Sequence, residues 1–153
     1  MRSTIAWLIL FWCGAALPAT PQEHVHDAAH GVMPFDMSKT MHVFVMNESG
    51  GVQKVIARDA AATEQIGMIR QHLRHEAEAF ARGDFADPGH LHGATMPGLH
   101  DVAARAARIR VRYAPLPDGA QISFEAKDLR TITAIHRWFG AQLSEHGADA
   151  RAE

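Results

Sequence analysis

The spacing of apolar residues changes several times along the chain, and each change marks an element. Over TMHVFVMN, residues 40–47, apolar and polar positions alternate and β-branched residues are frequent, the two-residue period of a half-buried strand. ESGG supplies turn chemistry and VQKVIARD a second strand, so the segment predicts a hairpin. From about Thr63 to Arg82, Ile66, Ile69, Leu73, Ala77 and Phe80 fall on one helical stripe, and Gly83 stands where such a helix stops. A Gly/Pro-rich loop, PGHLHGATMPGLH at residues 88–100, comes next. Thr95 is placed to cap a short helix behind it, with Pro97 in the first turn. RIRVRY and AQISFEAK, joined through APLPDG, predict a second hairpin. Asp128 then caps a last helix to about Glu145, with the stripe Ile132, Ile135, Phe139 and Leu143.

The two halves echo each other. GGVQKVIARD is answered by DGAQISFEAKD, and IGMIRQHL by ITAIHRWF. This order predicts an α+β fold: one four-stranded antiparallel sheet from two ββα units, with the helices on one face. In the first strand Val43 and Val45 are expected to face the helices. His42, Phe44 and Met46 then share the other side with Arg110, Arg112, Ser123 and Glu125. An aromatic and a thioether on an open face need a cover, which makes a homodimer the expected assembly.

The first residues alter this picture. Arg2 precedes an apolar run from Ile5 to Leu17, followed by Pro18 and Ala19, the layout of a secretory signal peptide. The run is too short for a membrane span. Cleavage is expected near Ala19, with export to the periplasm or beyond. The organisation read from sequence is therefore a leader at 1–19, a flexible His- and Met-containing arm at 20–39, a single domain at 40–147 and a tail at 148–153. The only cysteine, Cys13, leaves with the leader, removing disulfide and thiolate chemistry. Losing Arg2 takes the formal charge from −2 to −3, a poor match to nucleic acid, which demands a basic footprint.

All eleven histidines lie beyond the leader, and they are the compositional anomaly. His90, His92 and Met96 crowd into the glycine-rich loop, while His42 and Met46 lie on the first strand. The arm adds His24, His26, His30 and Met33. Imidazole and thioether without cysteine suit copper best, zinc second, and neither calcium nor magnesium. His42, His92 and Met96 are the leading candidate ligands, then His90 and Met46. His72 and His75 read as a solvated helix face. His146 continues the buried stripe of the last helix, and His136 occupies the position that Arg70 holds in the first.

The fragments FDMSKTMHVF, GGVQKVIARD, QIGMIRQHLRHEAEAF, GDFADPGHLHGATMPGL and IHRWFGAQLSEHGADA resemble a family of small exported bacterial proteins. The likeness runs from about Pro34 to Ala150. Members often carry the automatic label aspartate carbamoyltransferase, and the resemblance implies a shared pattern rather than a mechanism. The label fails on physical grounds. Such an enzyme needs two α/β domains, about twice this length, and a basic phosphate cradle between them.

Three functions are compatible with these residues. The leading one is a periplasmic protein binding a transition metal, copper ahead of zinc. A small exported enzyme or small-molecule binder is the second, with His136, His146 or His92 as acid-base groups and Arg70 anchoring an anion. The third is a pH-responsive interaction module, since histidine titrates near neutrality.

Overall fold

The computed structural model describes residues 19–153; apart from Ala19, the expected leader lies outside the described residues. The sheet is built as the alternation predicts. Strands β1 (Thr40–Asn47) and β2 (Gly50–Ala57) pair antiparallel, with Asn47 opposite Gly50 across the turn. Strands β3 (Arg110–Leu116) and β4 (Gly119–Glu125) form the second hairpin, and β4 joins it to β2. The sheet has five strands rather than four, in the order β3-β4-β2-β1-β5, and it is mixed. The additional strand β5 (Ala150–Ala152) lies parallel to β1, with His42 opposite Ala150. It falls in the expected tail, whose three-residue pairing is too short to leave a period in the sequence.

Helix α2 (Thr63–Ala81) matches the apolar stripe, and Ile66, Ile69, Leu73, Ala77 and Phe80 are all buried. Helix α5 (Leu129–His146) starts where Asp128 accepts a hydrogen bond from the Thr131 amide, satisfying one otherwise unpaired donor of the first turn. Both helices lie on one face, but each crosses to the other half. The α2 helix packs mainly over β3 and β4 and reaches β2, whereas α5 packs over β1, β2 and β5. The two halves therefore share one core, with β2 covered by both helices.

Three local readings are corrected. Residues 20–39, expected as a flexible arm, begin with helix α1 (Pro21–Ala29), closed by a capping box between Thr20 and Glu23. Val25 and Ala29 are buried, and the helix packs on α5. The loop yields helix α3 (Ala86–His92) and then α4 (Leu99–Ala103), whose N-cap is Gly98 rather than Thr95.

The third correction concerns β1, whose two faces are reversed. Phe44 is fully buried, its ring 5.1 Å from that of Phe139 on α5. His42 is buried beside it, and Arg110, Arg112, Ser123 and Glu125 lie on the opposite face from both. Alternation alone could not choose, because valines occupy one face of β1 and His42, Phe44 and Met46 the other. Large aromatic area settles the choice energetically, since burying a ring contributes about 2–3 kcal/mol. The open patch that motivated a homodimer is thus closed within the chain, except for partly exposed Met46.

Two glycines allow close packing. Gly51 lets the Phe139 ring settle on the sheet, where a Cβ would meet both that ring and the Val45 carbonyl. Gly98 has φ +83° and abuts the main chain of Ala134 and Trp138. Gly98→Ala is expected to destabilise the fold by about 2–4 kcal/mol, from backbone strain and collision together. Gly67→Ala, on an open part of α2, should stabilise by about 0.5–1 kcal/mol. Denaturant melts of both variants check the packing, and equal midpoints would contradict it.

Candidate functional site

The helix-facing side of the sheet is aromatic over much of its area and polar at one end. Phe44, Phe80, Phe85, Phe124, Trp138 and Phe139 form a continuous ring cluster. Along α5 the buried face then changes from Trp138 and Phe139 to Gln142 and His146. On β1 it changes from Phe44 to His42, and α2 contributes His72 and Glu76 to the buried set. From α3 comes His92, whose side chain is only 1% exposed. These groups line a cavity of about 30 Å³, together with Met33, Asp87 and Gln142. That volume suits an ion or a water or two, not an organic substrate.

Three imidazoles meet there. His42 and His146 stack at 4.4 Å between ring centroids, with 18° between planes, and His92 meets His146 edge-on at 5.0 Å. The Nδ1–H of His92 donates to Glu145 at 2.8 Å, which fixes the tautomer and leaves Nε2 as the acceptor nitrogen. Among the described residues, His92 Nε2, His146 Nδ1 and both ring nitrogens of His42 have no hydrogen-bond partner. Burial drives His42 down to about 4, helped by His92 and opposed by Asp149. It also holds His146 well below its ordinary value, with His42 and His92 adding repulsion. His92 is lowered by burial against the pull of Glu145. All three are therefore neutral at pH 7. Among the described residues, no three His, Cys, Asp or Glu side chains stand in a metal-holding arrangement, and the parallel stack explains part of this: the ring lone pairs of His42 and His146 run side by side.

A second polar group lines the same cavity. Glu76 is pushed up to about 8 by burial first, and then by the adjacent carboxyl of Asp87. It carries a proton at neutral pH. His72, one turn before it, is lowered to about 4 by burial, with Asp87 opposing. Its ring sits edge-on to Phe35 at 5.5 Å.

The site is roofed by α1 and closed by the end of the chain. Asp149 accepts from Gln22 at 2.8 Å, from His26 Nε2 at 2.7 Å and from Arg58 at 2.8 Å. Burial works against its charge, but these three bonds outweigh it and lower the carboxyl.

The sequence candidates separate clearly. His42, His92 and His146 come together, and Met33 of the arm reaches the same cavity. Met96 is buried in the core but does not line the cavity, Met46 is partly exposed at the end of β1, and His90 is exposed on α3. His24 and His30 are exposed on and just after α1, while His26 is committed to Asp149. Arg70 donates to the carbonyls of Leu116, Pro117 and Gly119, and His136 Nε2 lies 2.8 Å from the Gly50 carbonyl. Each pins the turn of the opposite hairpin, which gives their matching positions a structural role. His72 was read as solvated, yet it is buried; only its place on the flank of the stripe signalled this. Asp87, which the sequence offers as a carboxylate partner for zinc beside the loop histidines, does line the cavity, whereas Glu76 and Gln142 carry no signal in the sequence.

Neutral buried histidines make stability depend on acid. The unfolded chain takes up protons near the ordinary value of 6.5, whereas folded His42 resists until about 4. Stability is thus complete above 6.5 and lost as pH falls towards 4, by on the order of 3 kcal/mol for His42 alone. Glu76 has the opposite sign, with stability present below 4.5 and lost as pH rises through about 8. His42→Leu should raise the melting temperature at neutral pH and shrink the acid loss. Melting curves from pH 4 to 9 check both, and an unchanged acid limb would refute the burial argument. No protein-family model, curated protein or solved structure matches the chain.

Proposed function

We propose that this is an exported, periplasmic protein that binds one transition-metal ion, copper in preference to zinc, between His42, His92 and His146. The observation that carries the reading is the set of buried, neutral ring nitrogens without partners around one small cavity. Leaving a buried polar atom unpaired costs about 1–3 kcal/mol, and native interiors rarely retain several together without a ligand or water to serve. Neutral imidazole is also the form that coordinates a metal.

Two further features support it. Glu145 behind His92 reproduces the carboxylate–histidine pairing that orients metal ligands and raises their basicity. The Met33 thioether at the same cavity favours a soft ion. Binding requires one ring of the His42–His146 stack to rotate, so that its nitrogen turns towards the nitrogens of its neighbours. The cavity volume argues against the enzyme reading. A pH response follows from the metal reading itself, because protons and metal compete for the same nitrogens.

Copper and zinc titration of the mature, untagged protein, with metal analysis after dialysis, tests the proposal. One tightly held ion per chain is expected, lost in His42→Ala, His92→Ala and His146→Ala. Glu145→Gln should weaken it by about 10- to 100-fold. Absence of stoichiometric metal in the folded wild-type protein would overturn the reading.

A further inference from the structure

Outside the histidine cavity, α1 and the segment after it border an open cleft of about 480 Å³. His26, His30 and Met33 all line it, with Asp36 and Met37 across from them. His30 keeps helical backbone angles at the C-cap, and the Met33 amide still bonds back to the Ala29 carbonyl at 2.7 Å. The helix itself ends at Ala29, and the turns that follow carry His30 and Met33 to the cleft that His26 also lines. Asp149 holds His26 through Nε2, leaving Nδ1 as its donor nitrogen for another partner, much as Glu145 orients His92. His30 is exposed. Two imidazoles and a thioether lining one cleft make a soft-ion donor set, distinct in composition from the inner three histidines.

The cleft and the cavity share a wall. Met33 and Phe35 line both, and Met33 is only half-buried. Methionine is unbranched and adaptable, so its sulfur can swing between two sides of a partition without repacking the core.

We propose that His26, His30 and Met33 form an outer capture site for cuprous ion, from which Met33 passes the ion to the inner histidines. This rests on the metal-binding reading for its second half, while the capture site itself stands on its own residues. No change of oxidation state is involved; the ion exchanges one set of donors for another.

Anaerobic stopped-flow loading of the full mature protein, with cuprous ion supplied from a chromophoric competing chelator, tests this. His30→Ala should slow loading at least tenfold and leave the final inner affinity unchanged. Met33→Leu, close in volume, should slow transfer while circular dichroism and melting stay near wild type. In His42→Ala/His92→Ala, one weaker cuprous ion should remain, and adding His30→Ala should remove it. Wild-type loading rates in His30→Ala, or no residual ion in the inner-site double variant, would overturn the capture site. If wild type binds a single ion that His30→Ala abolishes while the inner variants retain it, the capture site stands and the inner metal reading falls. If wild type binds none, both fall.

Discussion

The structure depends on the way its two main helices exchange hairpins. Each stripe of isoleucine and aromatic residues is laid chiefly across strands from the other half of the chain, with β2 shared between them, so both halves contribute to one core. The constraint is contiguous apolar burial, with the cluster of Phe44, Phe80, Phe85, Phe124, Trp138 and Phe139 at its centre. Turn pins from Arg70 and His136 reinforce the exchange, since each helix also ties down the bend of the hairpin beneath it.

Against that background the histidine end of the core is a deliberate weakness. The same helix face that carries Trp138 and Phe139 could have continued with leucine, and the fold would gain by it. Instead it buries Gln142 and His146 opposite His42, with ring nitrogens that nothing in the described chain satisfies. Stability given up at one coherent place, with a carboxylate set behind one of the rings, accords with the metal-binding reading proposed above. The carboxyl pair of Glu76 and Asp87 adds a protonated acid to the same cavity, so its net charge stays low at neutral pH.

Most of the framework was legible in the sequence because it rests on period and capping. Both hairpins, α2, α5 and the Asp128 cap follow from local pattern. The face of β1 was not legible: valine and phenylalanine on opposite sides both look buried, and only the aromatic area of Phe139 across the gap decides. The helix in the arm is hard to see in the sequence although Thr20 and Glu23 spell a capping box, because His24 and His26 interrupt a nine-residue segment with little apolar period. Within the site, His42 and His92 could be picked out by chemistry, and His146 by its place on a buried stripe. Met96 was chosen for its proximity in sequence to His92, yet the turn at Gly98 carries it into the core. Met33 reaches the cavity through tertiary packing of α1, which no local signal encodes.

The knot at Asp149 joins the two extremities of the described domain. Gln22 and His26 reach it across 127 and 123 positions of sequence, and Gln22 also accepts from the Ala148 amide across 126. The lid over the histidines is thus held by both ends of the described domain at once, through one buried carboxylate. A protease nicking either extremity would leave a folded but uncovered remnant, its histidines opened to water.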